Sequence, residues 1–244
     1  MNQIIEELSM NAWPALQTMV VDGWFLRFAN GYTRRANSVI PLYASKNNAP
    51  EKILFCEKMY GDQGLSTIFK MTPDSNPHDL DLLLAERGYR AEAYTSVQLL
   101  DLTRLDDALI PEVSLTSLEA EDWHEAFCRM NGIAIDHQVT HQQIVRAIIP
   151  AKCFGAVRLN GQVIGCGLGV IQDGVVGLFD ILIDKAYRRQ KYGERIVQAL
   201  LTWGKQQGAR MAYLQVMCNN PAALGLYAKL GFQEEYQYWY RVKP

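Results

Sequence analysis

The chain reads as an α/β protein of the α+β type, with helices on a mixed sheet, and three features of its second half predict this. First comes an antiparallel meander: residues 154–159, the Asn160-Gly161 turn, residues 162–171, and after Asp173-Gly174 the strongly apolar strand 175–183. An amphipathic helix follows, with Ile196, Val197, Leu200 and Leu201 on one side and Glu194, Gln198 and Lys205 on the other, stopped at Gly208. That helical crossover makes the next strand, 212–217, parallel to the one before it. The third feature is a helix with clear ends, Asn220 as N-cap, Pro221 at the first position and Gly231 beyond the last turn, running into the aromatic strand 236–242.

Upstream, residues 119–130 and 140–149 are expected to form the helices that open this half. The first half repeats the plan more weakly. Strands are expected at 24–29, 38–43 and 65–71, helices at 50–60 and 80–87, and a strand from Gly88-Tyr89 to Leu102. The run Leu84-Ala85-Glu86-Arg87-Gly88-Tyr89 matches Tyr227-Ala228-Lys229-Leu230-Gly231-Phe232 in kind, a helix end, a glycine and an aromatic before a strand. Two tandem halves are expected, 1–111 and 112–244, joined near 101–111, with the second complete and the first degenerate.

A net charge of -2 gives no electrostatic footprint for nucleic acid or an anionic membrane. Residues 163–183 are apolar enough to suggest a membrane span, but Asp173, Asp180 and five glycines break them, and two strands explain them better. The first fifteen residues lack a basic segment followed by an apolar block, so no secretory leader is expected and the cytoplasm is the expected compartment. Five dispersed cysteines form no C-x-x-C pair, which argues against disulfides and a zinc site. His137 and His141 stand four apart without an H-E-x-x-H pattern, so they are read as a polar helix face and no metal site is expected.

The junction between strand 175–183 and the following helix carries the chemistry. A helix start leaves N–H groups unpaired, its dipole adds partial positive charge, and Arg188, Arg189 and Lys191 add full charges. Those are the physical requirements of a pyrophosphate cradle. Arg188-Arg189-Gln190-Lys191-Tyr192-Gly193 resembles the R/Q-x-x-G-x-G/A signature of the GNAT superfamily of N-acetyltransferases. About thirty residues on, Asn220, Ala223, Leu226, Tyr227, Gly231 and Phe232 match its N-x-x-A-x-x-L-Y-x-x-x-G-F pattern without a gap. Lys191 stands where the signature has its first glycine, so crowding of the loop and weaker cofactor binding are expected there. The first half has no such segment, which implies a single cofactor site.

The resemblance implies a GNAT-like fold and direct transfer of an acetyl group from acetyl-CoA to an amine acceptor, a small molecule or a protein amine, in one ternary complex. It implies a cofactor set of Ile181, Leu182, Ile183, Arg188, Arg189, Gln190, Lys191, Tyr192, Gly193, Glu194, Asn220 and Tyr227. Backbone N–H groups around 181–183 are expected to meet the acetyl carbonyl where the two parallel strands splay apart. Tyr227 is the candidate acid for the leaving thiolate, since a phenol of pKa ~10 can protonate a thiolate of pKa ~8.5. Asp180 is the candidate base, Gln215 a candidate for orienting substrate, and the tail Tyr236, Tyr238, Trp239 and Tyr240 either lines an acceptor pocket or alternates along an edge strand. The alternative function is a non-catalytic acyl-CoA binder or sensor. The acceptor's identity and the oligomeric state, a homodimer among the options, stay open.

Overall fold

The computed structural model describes residues 1–105, 110–117 and 121–243. Its elements in chain order are α1 (Asn2–Ala12), β1 (Gln17–Val21), β2 (Trp24–Phe28), β3 (Val39–Pro41), α2 (Ala49–Gly61), β4 (Ile68–Met71), α3 (Leu80–Glu86) and β5 (Arg90–Asp101). There follow β6 (Val113–Thr116), α4 (Glu121–Asn131), α5 (Ile135–Ala147), β7 (Ala151–Leu159), β8 (Gln162–Gln172), β9 (Val175–Ile183), α6 (Tyr192–Gln206), β10 (Met211–Met217), α7 (Pro221–Lys229) and β11 (Gln233–Val242). All described strands join one sheet in the order β1-β2-β3-β4-β11-β5-β10-β9-β8-β7-β6.

That order contains an internal repeat. The run β1-β2-β3-α2-β4-α3-β5 has its counterpart in β7-β8-β9-α6-β10-α7-β11. Each run has one parallel pair, β3 with β4 and β9 with β10, on either side of its long crossover helix. The last strands are exchanged between the runs: β5 pairs with β10, β11 pairs with β4, and the two pair with each other at the centre. The expected mixed sheet and tandem plan are therefore present, built as one continuous sheet.

Local chemistry places most elements where the sequence does. Asn160, Asp173, Gly161 and Gly174 all take positive φ in their two-residue turns, as type I′ geometry requires. The Asn220 side chain accepts from the Ala223 N–H at 3.2 Å, and Gly208 and Gly231 follow their helices at φ +92° and +93°. Alternate glycines on β8 let α6 sit close to the sheet: a Cβ on Gly167 would stand 2.7 Å from both Ile181 Cδ1 and Ile196 Cγ2.

Three expectations are corrected. The terminal helix α1 and the strands β1 and β6 lie where no element was expected, and α5 begins at Ile135 and ends at Ala147, ahead of the expected 140–149. The aromatic tail lies in the middle of the sheet, not at an edge. Tyr236, Tyr238 and Tyr240 are buried in the core, and Trp239 on the other face donates to Asp81 at 2.7 Å. The helix expected over 119–130 is described from Glu121 onward; residues 119 and 120 and part of the expected 101–111 joint lie outside the described residues.

Candidate active site

β9 and β10 pair only from Val175↔Met211 to Leu178↔Leu214. Beyond that point the strands diverge, and the edge of β9 that faces β10 has no strand partner from Phe179 to Ile183 among the described residues. The divergence is built into β9 by a bulge. Its register with β8 steps between Cys166↔Leu182 and Leu168↔Phe179, and Asp180 takes φ +52° there. Aspartate tolerates this left-handed conformation better than a branched or bulky residue would. The resulting cavity of about 250 Å³ is lined by Asp180, Ile181 and Leu182 on one side and Gln215, Asn220 and Tyr227 on the other.

Tyr227 reaches the cavity from α7 and is held edge-on against Phe232, ring centroids 5.9 Å apart. Burial pushes its phenol up to about 12. None of the hydrogen bonds among the described residues uses its hydroxyl. Asn220 Oδ1 is engaged by its own helix cap, which leaves the side-chain amide as the part that could meet a ligand. Gln215 is held in place at the cavity wall: its Nε2 donates to Ser9 Oγ at 2.6 Å and its Oε1 accepts from Tyr238 at 3.0 Å.

Asp180 Oδ2 lies 3.1 Å from His141 Nε2, and this imidazole on α5 is fully buried. The expected polar helix face is thus wrong for His141: it packs among rings, 4.4 Å from Phe127 and 5.8 Å from Trp13 between centroids. The cavity also receives Arg35 from the first half of the chain, between β2 and β3. Burial opposes the Arg35 charge, but Tyr238, Tyr240 and Asp180 outweigh it and the guanidinium is held above its ordinary value. No sequence signal marks Arg35, because the exchanged strands that bring the first half against this cleft leave no local pattern.

The cradle lies at the open end of β9. Arg189 and Lys191 take φ +62° and +64°, alternating with right-handed or extended neighbours, which turns successive N–H groups toward one side. Among the described residues no side chain caps α6, so its first-turn N–H groups have no capping partner. The conformation at Lys191 is the one a glycine adopts freely, which explains the signature's glycine and shows that the loop forms with lysine in its place. Gly193 has room beside it, its would-be Cβ standing 3.5 Å from Leu226 Cδ2. Arg188 Nε donates to the Ile183 carbonyl at 3.2 Å, while Glu194 is paired with Lys229 at 2.8 Å, so the Glu194 carboxylate ties α6 to α7.

The equivalent turn in the first half is already filled. Between β3 and α2, the Asp22 carboxylate accepts from the N–H groups of Asn47 and Lys46 and from Ser45 Oγ, at 2.8, 2.9 and 2.8 Å. These bonds, Asn47 foremost, hold the carboxyl far below the usual range. An internal carboxylate occupies the place where a second cradle would bind its anion.

Residues 3–241 match the model of the family described as "Probable histone acetyltransferase Rv0428c C-terminal". The Bacillus subtilis protein named uncharacterized N-acetyltransferase YobR is 28% identical over 245 residues, covering 98% of this chain and 97% of that protein. Among solved structures, a GCN5-related N-acetyltransferase from Kribbella flavida superposes with a TM-score of 0.70 at 15% identity, covering 99% of this chain and 95% of the other. A tandem GNAT protein from the clavulanic acid biosynthesis pathway does so with a TM-score of 0.61 at 12% identity, covering 98% and 88%. These two share the fold, with the doubled plan echoed in the second. Among the described residues no helix is long and apolar enough to cross a membrane. The chain belongs to the Rv0428c C-terminal acetyltransferase family, and through it to the GNAT superfamily of acyltransferases.

Proposed function

We propose that the cleft between β9 and β10 takes acetyl-CoA and that the chain transfers its acetyl group to an amine acceptor. The observation that carries this reading is the divergence of the two strands, with Asp180 and Tyr227 on opposite walls and an uncapped helix start at its open end. Arg188, Arg189, Gln190, Lys191, Tyr192 and Gly193 hold the pyrophosphate through their N–H groups and charge. The unpaired edge of β9 over 181–183 receives the thioester carbonyl, and Asn220 offers its amide from the start of α7.

Asp180 takes the proton that the acceptor ammonium must lose before its nitrogen can attack. The bond to His141 keeps that carboxylate aimed into the cavity. As the new C–N bond forms and the C–S bond breaks, Tyr227 donates to the departing sulfur. A phenol near 12 gives up its proton to a thiolate of pKa ~8.5 uphill, by ~5 kcal/mol, so Tyr227 acts mainly as a hydrogen-bond donor whose proton moves late. Arg35 places a cation on the acceptor side, so the first half of the chain contributes to acceptor choice. We place the protein in the cytoplasm, a reducing compartment that suits five cysteines held outside any disulfide. The boundary between halves is proposed at 111/112.

The test is release of free thiol from acetyl-CoA across a panel of amines: amino acids, polyamines, aminoglycosides and peptide N-termini. At least one amine is expected to raise release well above hydrolysis, with the acetylated product seen by mass spectrometry. No acceptor-dependent release, with acetyl-CoA shown to bind, would contradict the transfer reading.

A further inference from the structure

On α4, one helical turn separates His124 from Cys128, and His141 faces both from α5. The ligating atoms of the three side chains all lie within 4.8 Å of one another. Cys128 Sγ stands 3.5 Å from His124 Nε2. In a tetrahedral zinc site with Zn–S of ~2.3 Å and Zn–N of ~2.0–2.1 Å, a sulfur and a nitrogen ligand lie about 3.5 Å apart. The spacing is that of two ligands sharing an ion.

His141 supplies the independent observation. Its ring is fully buried, and Nε2 lies 3.1 Å from Asp180 Oδ2. A carboxylate only accepts, so Nε2 carries the proton and Nδ1 presents a lone pair. That Nδ1 is buried with no hydrogen-bond partner among the described residues. Burying an acceptor without a partner is costly and calls for a ligand or another explanation. Histidines that bind metals characteristically donate their second nitrogen to a carboxylate, which fixes the tautomer and orients the ring.

We propose that His124, Cys128 and His141 bind a zinc ion, with Asp180 as the carboxylate that orients His141. One thiolate and two imidazoles favour zinc over magnesium or calcium, which prefer oxygen. The Cys128 thiol gives up its proton to solvent as the Zn–S bond forms. Three protein ligands leave the fourth position to water or another small ligand. The ion ties α4 to α5 and, through His141 and Asp180, to the bulge in β9, so it sets the aim of a carboxylate in the cleft. Binding of the ion does not depend on acetyl transfer and can be tested apart from it.

The full chain, stripped with a chelator, is titrated with cobalt(II) and followed by absorption. One cobalt per chain is expected, with a thiolate-to-cobalt charge-transfer band in the near ultraviolet and the intense visible bands of a four-coordinate site, all displaced by zinc. Cys128→Ser, checked by circular dichroism, should lose the charge-transfer band and bind cobalt at least ~100-fold more weakly. Asp180→Asn keeps all three ligands and should weaken binding by about 10- to 100-fold. Saturation without a charge-transfer band, unchanged affinity in Cys128→Ser, or no binding at micromolar cobalt would overturn the proposal. The wild-type spectrum decides the matter even if a variant fails to fold.

Discussion

Tyr227 and Lys191 make different physical demands, and each can be tested alone. Tyr227→Phe removes one hydroxyl from the cleft, so turnover should fall by ~10²-fold or more while acetyl-CoA affinity stays within a factor of two or three. Equal turnover would remove Tyr227 from the chemistry. Its raised pKa also has a stability consequence. The folded state holds the phenol's proton up to about 12 and the unfolded chain releases it near 10, so this contribution is complete below pH ~10 and is lost between there and pH ~12. Tyr227→Phe should therefore flatten the alkaline fall in melting temperature. Lys191 sits at φ +64°, a conformation that costs a non-glycine residue ~1–2 kcal/mol. Glycine relieves that strain but adds ~0.5–1 kcal/mol of chain entropy, so Lys191→Gly should raise stability by up to about 1.5 kcal/mol in denaturant melts. At this scale the sequence is legible where chemistry repeats at fixed spacing, as in the 188–193 and 220–232 segments. It is silent on Arg35 and on the burial of His141, which depend on segments far apart in the chain. The i,i+4 spacing of His124 and Cys128 was present in the sequence, and only the pairing of α4 with α5 gives it meaning.

Elements with one buried face and one polar face announce themselves, and those without do not. The helix α6 was readable because Ile196, Val197, Leu200 and Leu201 make a clean apolar stripe, all buried. In α1 the buried face holds Ile5 and Leu8 together with Glu6 and Ser9, so a charge interrupts the pattern. Strands β1 and β6 end the sheet with mostly exposed residues and have no buried alternation to display. Glu6 itself explains why α1 is fixed. Its carboxylate accepts from Lys70 Nζ on β4 at 2.5 Å and from Tyr236 on β11 at 2.7 Å, and both charges are almost fully buried. Removing one partner of such a pair strands the other, at a cost of ~3–5 kcal/mol. Lys70→Met should show that loss in chemical denaturation, and a change under 1 kcal/mol would mean that water reaches the pair.

Across the whole molecule, the exchange of β5 and β11 makes the two halves a single structural unit. Each half lends its last strand to the other's ladder, so neither can open without breaking pairings in both. Unfolding is expected to be one transition by fluorescence and by far-ultraviolet circular dichroism, despite the internal repeat. A fragment of residues 112–244 leaves β10 without β5 and β11 without β4 and β5, and should be unfolded or aggregated unless β11 re-pairs with β10. The repeat was visible in the sequence as two helix-glycine-aromatic-strand runs, but the exchange was not, since either pairing buries the same side chains. The same arrangement brings Arg35 of the first half to the β9–β10 cleft, the proposed site of the acyl donor. The most direct measurement is the melting temperature with and without acetyl-CoA. At a hundred times its dissociation constant a ligand adds ~2.7 kcal/mol, and for a chain of this size that corresponds to a rise of roughly 5–11 °C. A rise of that order, lost when Gly193 is replaced by a bulky residue, is the expected result. No rise at millimolar acetyl-CoA would contradict the assignment of the β9–β10 cleft as its binding site.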